Sequence, residues 1–169
     1  MSTKIIHVQW DGPFTLSNVV KLSDKRTDYG IYQIYGSHPI YGNNTLLYIG
    51  KACQQTFAER ISQENWKGWE LGQGRIQVHI GRLSGSTTPK RAEWNQEIDL
   101  VELLLLTAHK PAHNASGIVS LSNAIDMKIR EIHVLNWGNC QDLLPEISGA
   151  RWSNKFDNPI NYDHYGKHH

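Results

Sequence analysis

The sequence predicts an α+β domain: a small three-stranded, mainly antiparallel sheet flanked by helices, with extensions at both ends. Three observations lead there. Two short β-prone segments, Tyr29–Tyr35 and Thr45–Ile49, are separated by turn chemistry. A third alternating segment, Arg75–Leu83, follows a glycine-rich stretch. The clearest helical pattern, Arg91–His109, runs up to Pro111, where a helix must stop.

Taken in order, residues 1–28 read as an amino-terminal extension. They offer a possible strand from Lys4 to Trp10, a turn at Asp11-Gly12-Pro13, and a strand or short helix from Thr15 to Leu22. Gly36-Ser37-His38-Pro39 and Gly42-Asn43-Asn44 are turn chemistry on either side of Ile40-Tyr41, so the first two strands should form an antiparallel hairpin with an elaborated loop. Residues 54–66 read as a helix, with Phe57, Ile61 and Trp66 toward one face. Gly68, Gly72 and Gly74 mark a loop before the third strand, and Ser84–Pro89 is a break after it. The catalytic unit is expected over 29–115. The carboxy-terminal extension, 116–169, holds a helix or loop near 121–127, a strand at Lys128–Trp137 and a polar tail.

Composition narrows the function classes. A chain of 169 residues can bury a core of ordinary size, and its apolar fraction of 39% suits a soluble globular protein. No apolar run approaches the ~20 residues that span a bilayer, and the first residues lack a leader's apolar stretch, so a cytoplasmic protein without a membrane partner is expected. Cys53 and Cys140 are isolated and read as reduced thiols. The net charge is +1, but residues 51–91 carry seven Lys/Arg against three Asp/Glu, while residues 92–114 carry one against four. A locally basic middle is therefore followed by an acidic helix.

Phosphodiester hydrolysis needs an activated water, neutralised phosphate charge and help for the leaving oxygen. A hard divalent cation on few carboxylates serves the last two needs. Arginine's planar fork suits phosphate, and a tyrosine can be the base if a cation lowers its pKa from about 10. The chain has a candidate for each role. Tyr32 and Tyr48 sit on the neighbouring strands, and Lys51, just beyond, is placed to stabilise a phenolate. Arg60 lies on the following helix, where it can hold phosphate or merely pair with Glu64 at i+4. Glu102 stands among leucines, where a carboxylate is costly without a cation. Its neighbours Glu93, Glu97 and Asp99 read as an exposed face. Asn114 follows in the loop.

Gly30-Ile31-Tyr32 and Tyr48-Ile49-Gly50-Lys51 together resemble the signature of the GIY-YIG nuclease superfamily, which includes homing endonucleases, some restriction enzymes and an excision-repair nuclease. Arg60 falls where that family places its phosphate-binding arginine, and the run from Glu102 through Lys110-Pro111 to Asn114 resembles its metal-binding helix and following loop. The resemblance spans about residues 29–115. It implies a divalent-metal-dependent DNA endonuclease in which Glu102 binds Mg²⁺ or Mn²⁺, Tyr32 or Tyr48 is the base, Arg60 grips phosphate and Asn114 braces the site. A compact restriction or defence nuclease is expected, forming a homodimer when both strands are cut. Repair or structure-specific enzymes, mobile-element nucleases, RNA as substrate and a degenerate binding protein are the alternatives. Two features depart from the pattern. The span from Tyr48 to Arg60 is two residues longer, which implies an insertion around Cys53–Thr56, and Glu64 stands where many members carry His or Tyr.

Other candidates are weaker. His109 and His113 are four apart, but Pro111 breaks the helix that zinc binding would need. His79 reads as a sheet residue, and His164, His168 and His169 fall in the tail. Trp66, Trp69 and Trp94 can stack on bases or pack in the core, with packing favoured.

Overall fold

Residues 3–64, 66, 75–84, 90–114 and 128–152 are described by a computed structural model of the chain. Strands β1 (Lys4–Phe14), β2 (Gly30–His38), β3 (Gly42–Ala52), β4 (Gln77–Ser84), β5 (Ile132–Gly138) and β6 (Glu146–Ser148) alternate with helices α1 (Leu16–Val19), α2 (Phe57–Ser62), α3 (Arg91–His109) and α4 (Gly149–Trp152). All six strands lie in one sheet of order β3-β2-β4-β1-β5-β6. The β1–β5 pair is parallel and the other pairs are antiparallel.

This corrects the expected three-stranded sheet. The strands foreseen at 29–35, 45–49 and 75–83 are β2, β3 and β4, which lie together in the sheet, but the sheet continues beyond them. Both segments read as extensions supply strands to it: β1 pairs with β4 on one side and β5 on the other. The physical reason is the cost of an open edge. Left bare, β4 would expose a row of unpaired backbone groups. The loop expected at 68–74, the break after Ser84, the element near 121–127 and the tail beyond 152 lie outside the described residues.

Two apolar layers sandwich the sheet. Ile6, Val8, Trp10, Ile31 and Ile49 face α3, where Ile98, Val101, Leu104, Leu105 and Leu106 are buried. Burying each of those helix side chains contributes ~1.5–3 kcal/mol. Tyr32, Ile34, Val78 and Ile80 face the opposite layer with Phe57, Ile61 and Trp66. Because β2 is covered on both faces, its first seven residues are all buried, and a simple in/out alternation is lost. Among the described residues no helix is long and apolar enough to cross a membrane.

Local signals position the helices that flank the hairpin. Thr56 caps α2: its side chain accepts from Glu59 N at 3.3 Å, while the Glu59 carboxylate accepts from Thr56 N at 2.7 Å. The helix expected over 54–66 is thereby shortened to Phe57–Ser62, with Gln54 at φ 67° in the turn before it. At the other end of the site, α3 stops at Lys110, which takes a left-handed conformation (φ 46°) immediately before Pro111.

Gly30 begins β2 at φ +144°, and a Cβ there would lie 2.1 Å from the Gly81 carbonyl oxygen on β4. The tight β2–β4 approach therefore needs glycine. Gly30→Ala is expected to destabilise the protein by about 3 kcal/mol or more, combining backbone strain with a clash against rigid backbone. Gly42→Ala, at φ +90° in open space, should cost roughly 1–2 kcal/mol from strain alone. Urea denaturation of the two variants checks the ranking; equal losses would contradict it.

Candidate active site

Register places the two phenols. Tyr32 is directly opposite Gly50, and Ile34 is opposite Tyr48, so Tyr32 and Tyr48 are diagonal neighbours on one face. Their rings stack with centroids 6.1 Å apart, and Trp66 meets Tyr48 edge-on at 5.8 Å. Gly50 makes the room: a Cβ at that position would come within 2.5 Å of the Tyr32 hydroxyl and 2.7 Å of the Tyr48 ring. Both motif glycines thus have steric causes, one at the strand pairing and one beneath the phenols.

Tyr32 is fully buried, and its hydroxyl makes no hydrogen bond of good geometry with the described residues. Burial pushes its phenol far above the ordinary range; Tyr48 adds to the push and the Arg60 charge opposes it. Tyr48 is half-buried and is also raised by burial, again opposed by Arg60. The Arg60 guanidinium sits on α2 beside them, held to Glu64 at 2.7 Å. This is the i+4 pair that the sequence offered as the alternative to phosphate binding.

Lys51 is not where the sequence reading put it. Strand periodicity sends residues three apart to opposite faces, so Lys51 points away from Tyr48 and toward α3. There its Nζ lies 2.8 Å from Glu102 Oε2 and 3.0 Å from Asp99 Oδ1. The cation that acts on the phenols is Arg60. Asp99 and Glu93 are exposed as expected, whereas Glu97 is largely covered where it pairs with Lys4. The spacing of Asp99 and Glu102, three apart and hence on one helix face, was the available signal for their shared pairing with Lys51.

Glu102 keeps 17% of its side chain exposed. Burial raises its carboxyl above the usual range against the pull of Lys51, and the Arg60 charge also acts on it. For Lys51, burial opposes the charge, but its hydrogen bonds to Glu102 and Asp99 win and its pKa is raised. Glu102 lies on one side of the sheet and the phenols on the other, yet the carboxylate charge still disfavours ionisation of both phenols. They meet around β3, the outermost strand of this side of the sheet.

Asn114 closes that edge. Its Oδ1 accepts from Ile49 N at 2.9 Å and its Nδ2 donates to Ile49 O at 2.8 Å. Ala112 N and His113 N donate to Leu46 O and Leu47 O, extending the cover. Asn114 thus holds the strand that carries Tyr48 and Lys51 and reaches the site through its backbone.

The donor set suits a hard cation. Glu102 and Asp99 provide two carboxylates on one helix face, matching the one or two that Mg²⁺ takes while keeping its waters. Among the described residues no group of three or more His, Cys, Asp or Glu converges to hold a metal ion. His109 is committed elsewhere: Nδ1 to Leu105 O at 3.0 Å and Nε2 accepting from Leu144 N at 2.9 Å. His79 is a fully buried sheet residue, as its strand position suggested. Trp66 is buried with its Nε1 on Ile61 O, Trp94 packs edge-on to Tyr29, and Trp69 lies outside the described residues.

Comparison of the chain with protein-family models, with curated proteins and with solved structures returned no match.

The raised Tyr32 pKa has a definite sign. The fold favours the neutral phenol, so its contribution to stability is complete below about pH 10 and is lost as pH climbs toward the folded value. Stability should therefore fall above pH 10, and Tyr32→Phe should flatten part of that fall. Urea unfolding from pH 8 to 11 tests this; an identical slope in the variant would contradict it.

Proposed function

We propose that this chain is a divalent-metal-dependent DNA endonuclease of the GIY-YIG type, a compact restriction or defence nuclease. One observation carries the reading. The β2–β3 register sets Tyr32 and Tyr48 stacked on one face beside Arg60 of α2, while Lys51 of the same strand β3 meets Glu102 of α3 at 2.8 Å, so four elements bring the candidate residues to one strand.

In this reading Arg60 leaves Glu64 for the scissile phosphate, exchanging one charge-assisted hydrogen bond for another. An exposed i+4 pair is worth ~0.3–0.5 kcal/mol, so the exchange costs little. Glu102, with Asp99 beside it, would hold a divalent cation, which would supply charge neutralisation at the phosphate and the leaving 3′ oxygen. Tyr32 or Tyr48 positions the attacking water and, as phenolate, takes its proton, with Arg60 easing that ionisation. Lys51 keeps Glu102 ionised, and Asn114 fixes the strand. Burial keeps the phenolate scarce at neutral pH, so the rate should climb with pH beyond 9.

The Arg60–Glu64 pair favours a second reading, a catalytically degenerate nucleic-acid-binding protein, because it leaves the guanidinium already occupied.

Supercoiled plasmid incubated with Mg²⁺, Mn²⁺ or EDTA separates them. The nuclease should cut only with metal, and Glu102→Ala should lose at least ~10²-fold in rate while folding and binding DNA normally. Full cutting by that variant would remove Glu102 from the site. Metal-independent binding without cutting under any divalent ion would favour the second reading.

A further inference from the structure

The tip of the β2–β3 hairpin carries Ile40 and Tyr41, which are 81% and 68% exposed and lead the large apolar side chains exposed among the described residues. The tip is held in shape. His38 Nδ1 accepts from both Ile40 N (3.1 Å) and Tyr41 N (3.2 Å), and the His38 ring stacks on Tyr41 with centroids 4.6 Å apart. Ser37 donates to Asn43 Oδ1 at 2.8 Å, and Thr45 to Gly42 O at 2.9 Å. Two adjacent apolar side chains displayed on a braced turn are a feature of contact surfaces.

The surroundings indicate the partner. An open groove of about 400 Å³ separates Tyr41 and Thr45 from His109, Lys110 and Pro111. The His113 ring lies 5.4 Å from that of His38. Residues 36–47 and 103–114, which build this end of the molecule, contain no Asp or Glu but carry Lys110 and three histidines. Within these two segments a polyanion meets no carboxylate and Lys110 is exposed to receive it, with Asp142 acting on His109 from the segment beside them. Strand β3 also joins the tip to the candidate site. From Gly42 to Tyr48 along β3 is ~20 Å, which is ~6 base pairs of duplex.

We infer that the hairpin tip and Lys110 form a duplex-DNA contact roughly half a helical turn from the scissile phosphate. Ile40 and Tyr41 press their apolar surface into a groove, and Lys110 neutralises a backbone phosphate. This rests on the nuclease reading and extends it to how the substrate is held.

The test uses the full chain carrying Glu102→Ala, so that bound DNA survives, and a labelled duplex of about two turns read by fluorescence anisotropy across salt concentrations. Ile40→Ser with Tyr41→Ser should weaken binding by ~10-fold and leave the salt slope unchanged. Lys110→Gln should weaken it and lower the slope by ~0.9. Unchanged affinity and slope in both variants, in a protein whose wild type cuts plasmid, would overturn this inference alone. A shift from dimer to monomer in sedimentation of the tip variant would overturn it in favour of a subunit interface. A wild type that neither cuts nor binds duplex would remove the nuclease reading and this surface with it.

Discussion

Glu102 is largely withdrawn from water on α3, which packs against β2 and β3, and that carboxylate needs a cation. Here Lys51 meets it across the α3–β3 interface at 2.8 Å. Much of the site's arrangement follows from satisfying that charge. Lys51 has to point toward α3, which by strand alternation sends Tyr48 to the other face and leaves the phenols to Arg60. A half-buried ion pair of this kind adds little to stability once desolvation is counted. In the proposed nuclease reading, its burial keeps a carboxylate available to a second cation at the rim of the sheet.

The edge strand is the other half of the arrangement. An outer strand is normally a hazard because its outward backbone groups invite pairing. In this protein residues 112–114 cover it, and the Asn114 carboxamide imitates a neighbouring strand by satisfying both the N–H and the C=O of Ile49. Unmet, each of those buried groups would cost ~1–3 kcal/mol. The cover stops short of the hairpin tip, so one end of β3 is closed and the other is left open.

What could be read from sequence was local. The α3 boundaries follow from amphipathic spacing and Pro111, and the hairpin follows from β-prone runs around turn chemistry. The two motif glycines were legible as a pattern, though not their cause, which is the close approach of Gly81 and of the Tyr32 ring. The sheet's size was not legible. Lys4–Phe14 pairs with Ile132–Gly138 across more than a hundred residues, and no local pattern encodes a partner so remote. Lys51 was misplaced for a different reason: its proximity in sequence to Tyr48 was weighed above the period of two. Asp99 is exposed, as its place on the polar face of α3 predicted, and its pairing with Lys51 follows from its spacing of three from Glu102.

The central claim is that a hard cation binds at Glu102 and Asp99, within electrostatic reach of the phenols. Mn²⁺ titration followed by NMR line broadening tests it directly, because paramagnetic broadening maps the ion's position without requiring turnover. The account predicts that signals from Lys51, Asp99 and Glu102 broaden first, followed by those of Tyr48, with the effect lost in Glu102→Ala. Broadening centred elsewhere, or unchanged in that variant, would contradict it.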